Sequence, residues 1–196
     1  VKECQEYEAK MSGGADSMEL SGYRKFIARA YKLNRPEFVG KTVGELESRF
    51  VEARVFVERI RRGDQIIDSD AKTVLQDGDV LGVTGRHDAL VTQAAGIIGD
   101  EVEDRDLISM PAEVVEVVLT NKNIAGKTVK EIADSEAGRE LGRGVFLRKV
   151  VRGGHDMPVN WGLKLDRGDR LFVIGAKRDV ERVVGRLGYV DRATSQ

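Results

Sequence analysis

The sequence predicts an α+β protein that consists of two copies of one small module. The Gly-Lys-Thr-Val segment at 40–43 returns at 126–129, an offset of 86 residues. The Arg-Gly pair at 62–63 returns at 152–153, and the Gly-Asp pair at 78–79 returns at 168–169, both with an offset of 90. One insertion of four residues, around 135–142, accounts for the difference. A repeat of this length indicates two structural units.

Each copy begins with a predicted strand that is followed by a helix. The strands are expected at 24–33 and 113–120, the second being rich in valine, a residue that favours strands. Each Gly-Lys pair is followed by the sequence Thr-x-x-Glu, at 42–45 and at 128–131. This spacing is that of a capping box, in which the threonine and glutamate side chains satisfy free amides at a helix start.

Antiparallel strands and a closing helix complete each copy. Alternating apolar residues predict strands at 53–61 and 144–152, each ending in the Arg-Gly turn. Shorter strands should follow at 65–67 and 155–158, and the Gly-Asp turns should lead into strands at 80–84 and 170–174. The last helix of each copy is predicted from helical spacing of its apolar residues: Leu90, Ala94, Ile97 and Ile98 in the first copy, Val180, Val183, Val184 and Leu187 in the second.

The domain boundaries follow from these elements. We expect an N-terminal helix and linker at 1–22, a first module at 23–99, an acidic linker at 100–112, a second module at 113–192 and a tail at 193–196. The acidic residues at 100–106 lack the residue order of a calcium-binding loop, so we interpret them as a solvated linker. Modules of roughly 80 residues have marginal cores, so we expect them to pair, within the chain or across a homodimer.

Composition excludes several classes of protein. The 196 residues carry a net charge of -1, so bulk charge favours no nucleic-acid partner. A single cysteine rules out a disulfide framework. No run of 18 apolar residues is present, so no membrane span is expected. Because the chain begins with Val1 rather than methionine, we expect it to be part of a longer polypeptide.

Neither catalysis nor a cofactor is predicted. The Gly-Lys-Thr segments are not phosphate-binding P-loops, because Arg35 and Asn121 stand where such a loop needs glycine. The capping box explains them without a ligand. His87 and His155 occupy different repeat positions and lack metal-ligand spacing. With no nucleophile or acid–base pair in the sequence, we expect no enzyme activity, no metal and no cofactor.

Six basic residues are candidates for binding a ligand. Arg59 and Arg62 on one strand, and Arg148 and Arg152 on its counterpart, form repeated basic clusters that could pair with phosphates. The alternative is that they form the exposed face of a hairpin. Two lysines beside the helix starts could hold an anion, namely Lys41 and Lys127.

Both copies resemble one known domain. The order Gly-Lys-Thr-Val-x-Glu-Leu/Ile, Val-Phe-Val/Leu, Arg-Gly, then Leu-x-x-Gly-Asp-x-Leu-x-Val-x-Gly is similar to that of the TrkA C-terminal domain, also called the RCK C-terminal domain. The match covers about 23–191. The stretches at 119–128 and 187–192 look like those of the aspartate–alanine exchanger family of secondary transporters.

This resemblance implies a setting more than an activity. It implies two modules in a cytoplasmic loop at the inner membrane, with the membrane-embedded halves of the same polypeptide as partners. It also implies a regulatory region that forms a homodimer and has a nucleotide or cyclic dinucleotide as its possible effector, without nucleic acid. Two alternatives stay open: a purely structural dimerisation module, and a soluble regulator of potassium transport.

Overall fold

The structure, a computed structural model, describes residues 26–50 and 53–190. It separates into two compact units, one running from Arg24 to Met110 and the other beginning at Pro111. The N-terminal helix and linker predicted at 1–22, the tail predicted at 193–196 and the first residues of the predicted strand at 24–33 lie outside the described ranges.

The first unit is a five-stranded antiparallel sheet with helices. In chain order its elements are β1 (Phe26–Lys32), a 3-10 turn (Pro36–Phe38), α1 (Val43–Glu47), a 3-10 turn (Ser48–Phe50), β2 (Phe56–Arg62), β3 (Gln65–Asp68), β4 (Val80–Arg86), α2 (His87–Ala89), a π-helical segment (Leu90–Ala94), α3 (Ala95–Ile97), β5 (Glu101–Val102) and α4 (Arg105–Ile108).

The second unit repeats this plan. Its elements are β6 (Ala112–Leu119), α5 (Val129–Asp134), α6 (Glu136–Leu141), β7 (Val145–Arg152), β8 (His155–Met157), β9 (Arg170–Ala176), α7 (Lys177–Leu187) and β10 (Gly188–Val190). The strand orders, β3-β2-β4-β1-β5 and β8-β7-β9-β6-β10, are equivalent. The α+β fold of two repeated modules is therefore confirmed, and helix α6 accommodates the predicted insertion.

Register is the same in the two sheets. In each sheet the first strand and the third long strand pair without interruption, Phe26 facing Arg86 and Ala112 facing Ala176. The second strand carries a β-bulge at the same place in both copies, at Glu58 and at Arg148. Such a bulge adds one residue to one strand and re-aims the side chains around it.

Each unit has its own hydrophobic core. In the first unit the closing helix and α1 pack on one face of the sheet, where residues such as Leu46, Ile60 and Leu81 are fully buried. In the second unit α7 and α5 cover the equivalent face, in two adjoining clusters that include Val117 and Leu171. The opposite side of each sheet is called its outer face below.

Both predicted capping boxes are present. In the first unit the amide of Thr42 donates to Glu45 Oε2 at 2.7 Å, and the amide of Glu45 donates back to Thr42 Oγ1 at 3.3 Å. Thr128 and Glu131 make the same pair of bonds, at 2.7 and 3.2 Å. The repeated Lys-Thr-Val-x-Glu pattern is thus a helix start.

The first closing helix is less regular than its sequence predicts. Between α2 and α3 it widens into the π-helical segment, whereas α7 is a continuous α-helix of 11 residues. The buried hydroxyl of Tyr31 donates to the carbonyl of Leu90 at 3.0 Å, at the start of that segment. Burial raises the pKa of this phenol to about 12. The negative charge of Glu101 adds to this increase, and the positive charge of Arg29 opposes it.

The acidic run does not form the solvated linker that we expected. Its residues carry β5, which pairs with β1, and α4, which contacts β1, β2 and β4. The side chain of Leu107 is completely buried against the sheet. The acidic composition concealed this anchor, because a single buried leucine close to an acidic run gives no periodic signal. Residues 100–110 are called the strap below.

Candidate functional site

The repeated Arg-Gly and Gly-Asp motifs meet in the structure as an ion pair. In the first unit Arg62 donates from Nε to Asp79 Oδ1 at 2.9 Å and from Nη2 to Oδ2 at 2.8 Å. In the second unit Arg152 donates to Asp169 in the same way, with both bonds at 2.8 Å. The two carboxylate side chains are 0% and 1% exposed. We call these bidentate pairs the Arg–Asp clamps.

Each clamp closes the turn that precedes the central strand of its sheet. The two carboxylates also accept a backbone amide hydrogen each, from Gln76 and from Asp166, at 2.8 Å. The glycines before them, Gly78 and Gly168, have φ angles of +81° and +90°, which other residues rarely adopt. The Gly-Asp repeat is therefore explained by a glycine that permits the turn and a carboxylate that fastens it.

The arginines of the clamps also bind the backbone. Arg62 Nη2 donates to the carbonyl of Val74 at 2.9 Å, and Arg152 Nη2 donates to that of Lys164 at 2.7 Å. The hydrogen bonds to aspartate raise the pKa of both guanidinium groups. Burial alone would raise the pKa of Asp169, but the bonds from Arg152 and from a backbone amide outweigh it and lower that pKa.

These contacts give Arg62 and Arg152 a structural role. Each guanidinium joins the end of a strand to the loop before the next long strand, across a sequence separation of 17 residues. A ligand phosphate would have to compete with a buried carboxylate for the same N–H groups. The ligand-binding role that the sequence suggests for these two residues stays a prediction.

Arg59 and Arg148 are not equivalent in the structure. Arg59 Nε lies 3.3 Å from Asp68 Oδ1, and the repeat position of Arg59 is taken by Lys149, whose Nζ lies 3.0 Å from Asp156 Oδ1. Arg148 occupies the β-bulge and is exposed. The constant offset of 90 residues already places Arg148 opposite Glu58, so this one-residue difference is visible in the sequence.

Lys41 and Lys127 are exposed and stand directly before the capping boxes. Lys41 Nζ lies 5.8 Å from the ring centre of Phe38. Amides at both helix starts are already bonded within the capping boxes: the threonine amides donate to the glutamate carboxylates, and the amides of Glu45 and Glu131 donate to the threonine hydroxyl oxygens. Bonds from the threonine backbone and side chain lower the pKa of both glutamates, and the neighbouring lysines add a smaller electrostatic contribution.

Four of the six candidates bond to the loop before the central strand of their sheet, at equivalent places in the two units: Lys41 and Arg62, and Lys127 and Arg152. The loop that receives the bond from Arg62 also pairs with the backbone of Lys41, whose carbonyl accepts the amide of Leu75 at 2.8 Å. The loop that receives the bond from Arg152 pairs with Lys127 in the same way. Arg59 and Arg148 lie apart from these loops, on the β2 and β7 strands.

The strap supplies a charge pair that the sequence did not predict. Arg61 donates to Asp104 from Nε at 2.5 Å and from Nη2 at 2.8 Å, and Asp104 Oδ1 accepts the amide of Leu107 at 3.1 Å. Asp104 thus caps α4 while it binds β2. Arg29 forms a further ion pair with Glu101 of β5. The bond from Arg61 is the main cause that lowers the pKa of Asp104.

Within 26–50 and 53–190, no three histidine, cysteine or acidic side chains lie close enough together to hold a metal ion. Over the same residues, no helix has both the length and the apolar character that crossing a bilayer requires.

Comparison with known proteins gives the context of these two units. The chain is 35% identical to an uncharacterized transporter of Shewanella oneidensis over 193 residues, which are 96% of this chain and 34% of that protein. It is 33% identical to one of Bordetella bronchiseptica, over 92% of this chain and 31% of that protein. The chain therefore spans about a third of the length of these relatives.

Solved structures show a weaker likeness. A structure of an RCK domain with cda matches 38% of this chain and 96% of its own, at 20% identity and a TM-score of 0.32. The GsuK channel matches 83% of this chain and 52% of its own, at 11% identity and a TM-score of 0.35. At these scores the likeness supports no inference about function.

The family is shown by the sequence of both repeats. The TrkA-C domain matches twice, at residues 31–92 and at 114–188. Each match lies within one of the two units and contains one Arg–Asp clamp and one capping box. The chain therefore belongs to the TrkA-C domain family, of which it carries two copies in tandem.

Proposed function

We propose that this chain is the cytoplasmic regulatory region of a secondary membrane transporter of the aspartate–alanine exchanger type. The observation that carries the proposal is that relatives named as transporters match the chain along nearly its whole length, while the chain is only about a third of theirs. The membrane-embedded halves of the same polypeptide would be its partners, and it would lie at the cytoplasmic face of the inner membrane.

The regulatory part of the proposal is a shift between two arrangements of the modules. A small effector, such as a nucleotide or a cyclic dinucleotide, would bind one arrangement of paired modules better than the other. Its binding energy would then bias the attached membrane halves, because a ligand shifts an equilibrium by its difference in affinity for the two states. The homodimer expected from the resemblance is one way to pair the modules.

A structural pairing module without an effector is the second candidate. It is favoured by the Arg–Asp clamps, in which two of the candidate ligand residues, Arg62 and Arg152, already bind buried carboxylates. It predicts a stable assembly that does not respond to metabolites.

Thermal unfolding separates these two candidates. The chain is melted with nucleotides, cyclic dinucleotides, amino acids and salts, and its mass is followed by light scattering. A saturable rise in Tm with one compound supports a regulatory domain, because binding to the native state alone must stabilise it. The double variant Lys41→Gln, Lys127→Gln shows whether the exposed candidates contribute. A constant Tm with a stable dimer favours the structural module.

The transporter itself is tested in the full-length polypeptide. Reconstituted into vesicles, it should exchange external aspartate for internal alanine. If it carries neither amino acid, the exchanger assignment is wrong, whatever the behaviour of the modules.

A further inference from the structure

The closing helix of the second unit carries a strongly basic face. Helix α7 turns its apolar side to the core, where Val180, Val183 and Val184 are buried. Its exposed side carries four cationic residues, of which three are spaced four residues apart and therefore share one helical face. We call this set the basic face: Lys177, Arg178, Arg182 and Arg186.

The first repeat provides an internal comparison for this face. At an offset of 90 residues the core positions of the two closing helices are both apolar, for example Leu90 and Val180. The four positions of the basic face hold one aspartate and no lysine or arginine in the first unit: His87, Asp88, Thr92 and Gly96. The packing requirement is common to both helices, so it does not explain the four cations of α7.

The contacts of α7 leave an excess of positive charge on this face. Arg182 donates to Asp179 Oδ1 at 2.7 Å and to the carbonyl of Leu141 at 3.1 Å, and Arg178 Nε lies 3.9 Å from the same carboxylate oxygen. Asp179 is 1% exposed and compensates one charge from inside. In this helix, which is described throughout, Glu181 is the only exposed acidic residue.

The charge of the whole second unit has the same sign. Residues 111–190 contain 15 lysines and arginines against 11 aspartates and glutamates, whereas residues 24–110 contain 14 against 16. The near-neutral total of the chain therefore conceals an acidic first unit and a basic second unit. Such an asymmetry orients a protein near a charged surface.

We infer that the basic face docks the second unit on the phosphate headgroups of anionic lipids at a membrane surface. This inference rests on the proposed function, which places the chain beside the bilayer. Lysine and arginine side chains near an anionic bilayer attract it additively and without sequence-specific contacts, which fits an exposed helix with cations on successive turns.

Vesicle binding tests this inference with the chain itself. Sedimentation is compared for vesicles of phosphatidylcholine alone and vesicles with roughly one third phosphatidylglycerol, at low and high salt. Binding should require the anionic lipid and should weaken as salt screens the charges. The variant Lys177→Gln, Arg186→Gln removes two exposed cations of the face and should weaken binding about tenfold or more.

A control variant with the same change of net charge makes the result specific. Lys32→Gln, Lys72→Gln removes two exposed lysines of the first unit and should leave binding within about twofold, because only charges near the membrane surface contribute. Unchanged melting curves show that both variants fold.

Three outcomes would overturn the inference. The first is that the chain does not bind anionic vesicles. The second is that the control variant loses as much vesicle binding as the variant of the basic face. The third is that the chain binds heparin or an acidic peptide but not lipid, which would indicate a polyanionic macromolecule as the partner. The exchange assay on the full-length polypeptide is independent of all three, so failure of the docking surface and failure of the proposed function can be distinguished.

Discussion

The two units share the contacts that hold their backbones together and differ in what covers the outer face of the sheet. Both have the same strand order, an Arg–Asp clamp and a capping box. On the outer face of the first sheet the strap inserts Leu107 against Gly82, where a side chain would meet the Cγ of that leucine at 3.0 Å. The equivalent position in the second unit is Phe172, which lies beside Lys149.

This difference separates what the fold requires from what each copy has acquired. The contacts present twice hold the backbone: they close a turn or start a helix. The strap helix α4 belongs to the first unit and the basic face to the second, and neither adds a strand to its sheet. Features that differ between two copies of one fold are therefore the better guide to function.

The largest loss of stability is expected when the buried side chain that anchors the strap, Leu107, is shortened. Because Leu107 is completely buried, the substitution Leu107→Ala should lower the free energy of unfolding of the first unit by about 2–4 kcal/mol. Hydrogen exchange resolved by peptide, with Ile108→Ala as the partly buried control, checks this expectation. An unchanged exchange rate throughout the first unit would show that the strap adds nothing to its stability.

Removal of a clamp carboxylate should have the next largest effect and should act alike in both units. Asp79→Asn leaves the partly buried guanidinium of Arg62 without its buried carboxylate, and Asp169→Asn leaves that of Arg152 with only the exposed Asp166, whose Oδ2 lies 3.0 Å from Nη1. We expect a cost of about 2–3 kcal/mol in each case. Chemical denaturation measures the loss, with the exposed neighbour Asp77→Asn as control. A large loss in one unit only would mean that the clamps are not equivalent.

The repeat made most of this architecture predictable. The capping boxes, the antiparallel strands and the insertion now occupied by α6 were read from motifs that occur twice, because each occurrence checks the other. The Arg-Gly and Gly-Asp motifs were visible too. Their pairing was not, because Arg62 and Asp79 are 17 residues apart and nothing local links them.

The strap and the bulges escaped prediction for physical reasons. Residues 100–106 look solvated because five of them are acidic, yet Asp104 caps a helix and binds Arg61. A single buried leucine after such a run produces no periodicity. Both copies carry the bulge at the same repeat position, Glu58 and Arg148, and only tertiary pairing defines it.

A smaller loss of stability is expected from Gly82→Ala, which adds a side chain at the position where the second unit has Phe172. The added methyl group of Gly82→Ala would lie 3.0 Å from Leu107 Cγ and 3.2 Å from its carbonyl oxygen, so the strap must shift. We expect a loss of about 1–2 kcal/mol and faster tryptic cleavage after Arg105. Gly96→Ala, where the methyl group enters open space, is the matched control. Equal cleavage rates in the two variants would refute the close contact.

The smallest expected effect is a pH dependence of the stability that the strap contributes. The bond from Arg61 lowers the pKa of the Asp104 carboxyl in the folded state, against the opposing effect of burial. A lowered folded pKa means that the carboxylate adds stability above its unfolded pKa of about 3.9 and loses it as pH falls through the folded value. The difference in Tm between the wild type and Asp104→Asn should therefore be constant from about pH 7 to 5 and shrink below about pH 4. The exposed neighbour Asp106→Asn should show no such change, and a difference for Asp104→Asn that grows on acidification would exclude the assigned ion pair.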